Sequence, residues 1–317
     1  LDLALFLESD RMAYLLDAMT PMTVDAQRDV VKNERRQNVE NRPYGSADVV
    51  LGEMLYPERH PYHWPVIGYM PDLTAASYED VVAFFKKYYA PGNASLVVAG
   101  DLETAATRTL VEKWFSDVKP GAPVEPMTIP GVALAGVQRR VITDRVQLPR
   151  LYLAWLTPRV MEPGAAALDV AASVLAGGKN SRLYKRLVYE MQIAQSVSAF
   201  QASSSLSSSF QIVATPRPGH TIAEMLVVID EEIARLQQET PTPHEVERAI
   251  NQFEASFYNR MESLGGVADQ LNGYFLRTGN PDWFGEDLAR YRALSPSGIR
   301  AAAARFLPRD RRVELTV

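Results

Sequence analysis

Four prolines decide how this chain of 317 residues can be divided. Pro120, Pro123, Pro126 and Pro130 lie in DVKPGAPVEPMTIPGVALAGV, residues 117–137, a stretch with little charge. Prolines at that density prevent a helix and interrupt any central strand, so the stretch reads as a linker. Length agrees, because single cores stop growing at roughly 250–300 residues. A unit also recurs on the two sides of this linker. SYEDVVAFFKKYYAPGNASLVVAG runs from Ser77 to Gly100, and SPSGIRAAAARFLPRDRRVELTV closes the chain from Ser295 to Val317. Each reads as an N-cap Ser, a helix ending in large apolar residues, a Pro-marked turn and a strand. Val81 matches Ile299, Tyr88 matches Phe306, and Pro91 matches Pro308 after a one-residue gap. The alternative is that helix–Pro–strand is simply a common unit.

Helical spacing predicts helices at 1–18, 24–40, 46–56, 75–89 and 103–116, with a strand-like run at 94–100. Beyond the linker, strands are expected near 138–145 and 150–157, then a helix at 163–176 and strands near 194–202 and 207–215. Helices come next at 220–238, 243–262, 264–276, 282–292 and 295–306, and RRVELTV is a closing strand. The chain starts inside a helical pattern (Leu1, Leu3, Ala4, Leu7, Met12) with no cap or basic segment before it. A natural N-terminus upstream of Leu1 is therefore expected. If the repeat is real, the first copy lacks its front portion. The expected fold is α+β: a truncated first domain (1–118), the linker (119–135) and a complete second domain (136–317).

Composition excludes several classes of function. Thirty-three Lys+Arg against 38 Asp+Glu give a net charge of -5, which argues against a general nucleic-acid binder or a polybasic membrane reader. No window approaches 18 uninterrupted apolar residues, so no membrane-spanning helix is expected. The absence of cysteine removes a disulfide framework, a thiol nucleophile and a cysteine metal site. Four histidines limit any metal centre. The compartment, periplasm or cytoplasm, is not fixed.

The segment TVDAQRDVVKNERRQNVENRPYG, residues 23–45, is the most informative. Thr23 or Asp25 is a plausible N-cap, and Val24, Val31 and Val39 mark an apolar stripe. Gln27 and Glu34, seven apart, share a face. Pro43 stops the helix. By composition alone Glu34 is a solvated helix acid. His60 and His63 have H-x-x-H spacing but lie in ERHPYHWPVIG beside Pro61 and Pro65, a loop context. His220 and His244 stand alone at helix starts. Gly177-Gly178 lacks the lysine and Ser/Thr of a phosphate loop, and no G-x-S-x-G elbow exists. Ser203 to Ser209 reads as an edge strand or hairpin, and the Tyr/Phe groups at 84–89 as core.

Taken together, ALFLESDRM, VVKNERRQNVENRPYG, ERHPYHWPVIG, YYAPGNASLVVAGDL and GGKNSRLYKRL resemble the pitrilysin/insulinase family of zinc metallopeptidases, the inverzincins, over the whole chain. That resemblance implies repeated α+β domains and a zinc-activated water that hydrolyses peptides. It implies an H-x-x-E-H helix whose Glu is the general base, and a third zinc ligand on a later helix, which Glu34 matches. The resemblance also carries departures. H-x-x-E-H is absent, so this chain has no catalytic residue of its own, and the general-base Glu is expected upstream of Leu1. One carboxylate is too few ligands for this fragment to hold zinc tightly. The family commonly has an acid where Gln27 stands. Its substrate-binding Arg/Tyr pair falls at Val188 and Gln195, while Arg182 and Arg186 read as paired or solvated helix charges. A second family subunit supplying the pair is thus an implied partner, alongside peptide substrates. The alternative is a catalytically silent scaffold or substrate-presenting subunit of the same fold.

Overall fold

The structure, a computed structural model, describes residues 1–317 and is α+β, with twelve α-helices and one five-stranded sheet. The first half carries α1 (Asp2–Ala18), α2 (Pro21–Arg35), α3 (Ala47–Leu55), α4 (Met70–Ala75), α5 (Tyr78–Tyr88) and α6 (Thr104–Phe115). The second half carries β1 (Gln138–Val141), β2 (Leu151–Thr157), α7 (Ala165–Ala176), β3 (Ala194–Ala202) and β4 (Ser208–Pro216). Next are α8 (Ile222–Gln238), α9 (Pro243–Arg260) and α10 (Leu264–Thr278). The chain ends with α11 (Phe284–Arg292), α12 (Pro296–Phe306) and β5 (Val313–Thr316). Two π-helical segments intervene, Arg36–Glu40 directly after α2 and Tyr184–Glu190 before β3.

The chain forms two compact units, each assembled from separate stretches. One contains Leu1–Asn38, Val66–Thr128 and Asn259–Trp283; the other contains Val39–Pro65, Ile129–Tyr258 and Phe284–Val317.

The second unit holds the sheet, in the order β1-β5-β2-β4-β3, with β1 parallel to β5 and every other pairing antiparallel. β2 (LYLAWLT) is apolar at successive positions because both of its faces are covered. Leu151, Leu153 and Trp155 face one side and pack with Phe210 and Ile212 of β4 and with α7, α8 and α12. Tyr152 and Ala154 face the other, where Leu51 and Leu55 of α3 close over Val313 and Leu315 of β5. Trp155 is fully buried, and its indole N–H donates to the Pro308 carbonyl at 2.9 Å, so no donor is orphaned. Gly164 opens α7 at φ +99°, and a Cβ there would meet the Phe306 ring at 2.8 Å. That position needs glycine on both counts.

The first unit is helical. Asp2 of α1 accepts from the Lys113 ammonium (3.0 Å) and the Trp114 indole (2.7 Å) of α6. Ser77 caps α5 through a reciprocal box with Asp80.

Most expected elements are present, β3 with the expected bounds. Three expectations need correction. Residues 94–100 are extended but form no strand, because no neighbouring chain pairs with them in this unit and a lone strand leaves its N–H and C=O groups unbonded. The helix expected at 24–40 starts earlier and changes type. Thr20 caps it in a box with Thr23, Pro21 takes the first position where its missing N–H costs nothing, and the α-helix gives way to the π segment at Arg36. The helix at 75–89 is two helices, separated at the Ser77 cap. Before Ser77 the two halves also run alike. α1 and α8 are both 17 residues long, and each leads to a Thr-capped helix with Pro first, Thr20-Pro21 and Thr242-Pro243.

Candidate functional site

The Thr20 cap fixes where α2 begins, and from there the 3.6-residue period places every later side chain. Val24 is buried, Val31 half-buried, and Gln27 and Glu34 exposed. Arg28 bonds Asp25 (2.7 Å) and reaches the Ala76 carbonyl at 2.6 Å. Arg35, only 8% exposed, donates to the Gly68 carbonyl at 2.5 Å and lies over the Tyr69 ring. These two arginines tie α2 to the segment carrying α4. They leave Glu34, in the last turn, facing solvent with no ion pair.

Along the same face an open cavity of about 490 Å³ is walled by α1, α2, α4 and α5. Leu15, Met19, Val24, Val31, Leu73 and Phe85 make it almost wholly apolar, and Gln27 is among the few polar groups on its wall. Glu34 is not part of the wall. Nowhere do three His, Cys, Asp or Glu side chains gather to hold a metal ion. The residues of this chain alone therefore do not fit a zinc ion, and Glu34 offers a single carboxylate.

The histidines have structural positions. His60 is 2% exposed, stacks on Tyr56 with ring centroids 4.5 Å apart, and accepts from the Tyr62 amide. Burial pushes its imidazole below the usual range. His63 Nδ1 sits 2.8 Å from the Tyr56 carbonyl. Tyr62 in turn accepts the Leu206 amide at 3.1 Å. His220 lies 3.5 Å from Glu224, and His244 is exposed at the start of α9.

In the second unit the stretch after Gly177-Gly178 becomes the π segment and then β3. Val188 is half-buried against the core, while Gln195 is exposed at a bulge where β3 pairs with β4. Neither position offers a cation or a phenol. Arg182 and Arg186 are paired charges: Arg182 grips Glu245 at 2.8 and 2.9 Å, and Arg186 bonds Glu231 (2.7 Å) and Glu232 (2.9 Å). Burial pushes Glu245 up, but the Arg182 fork and the Thr242 amide outweigh it and bring the carboxyl to about 2. Sequence reasoning missed Arg217, whose guanidinium lies 3.5 Å from the Val188 carbonyl and 3.4 Å from Gln192 Oε1. It is 29 residues from Val188, and only the β3–β4 hairpin brings the two together.

Residues 75–253 match the family described as the peptidase M16 inactive domain. The zinc protease PqqE of Helicobacter pylori is 28% identical over 259 residues, which cover 79% of this chain and 57% of that protein. The chain spans about half the length of the curated relatives it matches. Among solved structures, a protease from Helicobacter pylori superposes with a TM-score of 0.89 at 23% identity, covering 99% of this chain and 76% of that one. A peptidase M16 inactive domain from Pseudomonas fluorescens gives 0.85 at 18% identity, with 99% and 73% covered. At those identities the superpositions establish the fold.

Proposed function

The chain belongs to the peptidase M16 family, and on that premise we propose that it is the part of a zinc metalloendopeptidase that carries the third metal ligand, Glu34, without the catalytic helix. The observation that carries this reading is the α2 face. A free carboxylate and an open apolar cavity occupy one side of the same helix. An uncovered apolar cavity favours a covering segment, and an unpaired acid favours a cation.

The repeat suggests what covers it. In the second unit α8, α9 and α12 pack with α7 and β2 in one core. Their counterparts α1, α2 and α5 instead meet the cavity. An upstream strand–helix segment equivalent to β2–α7 would fill it, and an H-x-x-E-H helix there would bring its Glu as general base. In that reading 1–118 is the remainder of one peptidase domain, 119–135 the linker and 136–317 a second domain of related fold. Val188 and Gln195 supply neither an Arg nor a Tyr, so a second family subunit would contribute that pair. The substrates are peptides held in extended form against a strand edge.

A silent subunit of the same fold is the second reading, favoured by the inactive-domain description of the matching family. The gene's coding sequence for about 80 residues upstream of Leu1 separates the two. The peptidase reading expects H-x-x-E-H there, and hydrolysis of a fluorogenic peptide by the extended protein with its partner, abolished by Glu34→Gln. An extended protein without the motif, or equally active with Glu34→Gln, would overturn it.

A further inference from the structure

A smaller open cavity, of about 170 Å³, lies within the second unit, where the end of the linker passes the C-terminus of α12. Leu134, Leu156, Phe306 and Pro308 give it an apolar lining. Arg305 and Arg311 give it charge, and no acidic side chain is on its wall. Neither guanidinium is engaged elsewhere. Arg305 lies over the Phe306 ring, 4.8 Å from its centroid, a contact that uses the flat face of the guanidinium and leaves its edge N–H groups to donate. Arg311 has only its exposed sequence neighbour Asp310, at 3.9 Å, beyond hydrogen-bond range. The other arginines of this stretch are committed, Arg309 to Asp230 and Arg312 to Asp230 and Glu314. The carbonyls at the end of α12, which would repel an anion, are also occupied. Gln237 donates to the Ala303 and Leu307 carbonyls at 3.4 and 2.7 Å, and the Trp155 indole donates to the Pro308 carbonyl.

We propose that this cavity binds a small organic carboxylate whose apolar body is the size of one ring, with the carboxylate on Arg305 and Arg311 and the body against Phe306 and Leu156. Volume sets the size. A cavity of about 150 Å³ takes a benzene ring, and this one is slightly larger. Charge sets the head group. Hydrogen bonds from a guanidinium to a carboxylate are about twice as strong as those between neutral groups. The lining sets the rest, because inorganic phosphate would satisfy the arginines yet leave Leu134, Leu156 and Phe306 against water. Leu134 belongs to the linker and is buried in the core beneath α3, so a bound carboxylate would join the end of the linker to α12. The site shares no residue with the α2 face.

The test titrates the full 317-residue chain with 4-fluorobenzoate, followed by fluorine NMR at low salt, where exposed charges are least screened. Saturable binding with a dissociation constant of about 1 mM or below is expected. The neutral analogue 4-fluorobenzyl alcohol should bind at least about tenfold more weakly. Unlabelled benzoate should displace the probe, and acetate and inorganic phosphate at the same concentration should not. Arg305→Gln and Arg311→Gln should each weaken 4-fluorobenzoate by about five- to tenfold at an unchanged thermal midpoint. Arg309→Gln removes the same charge from outside the cavity and should weaken it by less than about twofold. Equal affinity for the acid and the alcohol, displacement by phosphate as effective as by benzoate, or unchanged affinity in Arg305→Gln or in Arg311→Gln would each overturn the proposal. So would the absence of saturable binding up to about 10 mM.

Discussion

Asp169 offers a test of the packing that is sharp in pH. It lies on α7 and accepts the Tyr291 hydroxyl of α11 at 2.7 Å, with Phe253 of α9 stacked on the Tyr291 ring. Burial pushes its carboxyl from 3.8 up to about 6; the Tyr291 bond and the nearby Arg290 hold it down only in part, and Asp287 adds to the rise. A raised carboxyl binds its proton more tightly folded than unfolded, so stability is greatest below about pH 4 and falls as pH rises to about 6. The rise from 3.8 to about 6 is roughly a hundredfold in proton affinity, or about 3 kcal/mol. Asp169→Asn keeps an acceptor for Tyr291 and removes the titration. Urea unfolding should show the variant more stable than wild type at pH 7.5, by up to about 3 kcal/mol, with the gap shrinking steadily towards pH 4. A gap that does not change with pH, or a variant less stable at pH 7.5, would refute the reasoning.

Local geometry sets three further outcomes. Glu245, held at about 2 by Arg182, has the opposite sign, since its contribution is present above about pH 4.5 and fades as pH falls towards 2. Glu245→Gln should cost about 1–2 kcal/mol at pH 7 and progressively less on acidification, read by the same titration. Trp155→Ala should lower stability by about 3–5 kcal/mol, since it empties the fully buried centre of β2 and orphans the Pro308 carbonyl. A Cβ on Gly266 would lie 1.7 Å from the Arg260 carbonyl oxygen, whereas one on Gly265 meets nothing within 4 Å. Gly266→Ala should therefore lower the thermal midpoint by several degrees, and Gly265→Ala should leave it unchanged or raised.

Period and punctuation made the second unit legible. The alternating and continuous apolar runs of β2, β3 and β4 and the capped helices α8 and α12 read directly from side-chain spacing and cap residues. The 94–100 run has strand composition yet no partner, because pairing is a property of the neighbours and not of the segment. The π segments were invisible for a related reason. RQNVE and YKRLVYE have ordinary helical composition, and nothing in their residue spacing separates a π turn from an α turn. At the site, the exposed position of Glu34 was readable from the sequence; for Arg182 and Arg186 it left solvated or paired charges open, because their partners Glu245, Glu231 and Glu232 come from distant helices. Arg217 was not readable, because its approach to Val188 depends on a hairpin closing over 29 residues.

In the proposed enzyme, Glu34 completes a zinc site whose other ligands lie outside this chain. Zinc content of the extended protein, containing the residues encoded upstream of Leu1, measures this directly after dialysis against a weak chelator. About one zinc per wild-type chain is expected, with marked loss in Glu34→Gln at an unchanged thermal midpoint of the apoprotein. Full zinc retention by Glu34→Gln, or stoichiometric zinc in the 317-residue chain alone, would contradict that role for Glu34.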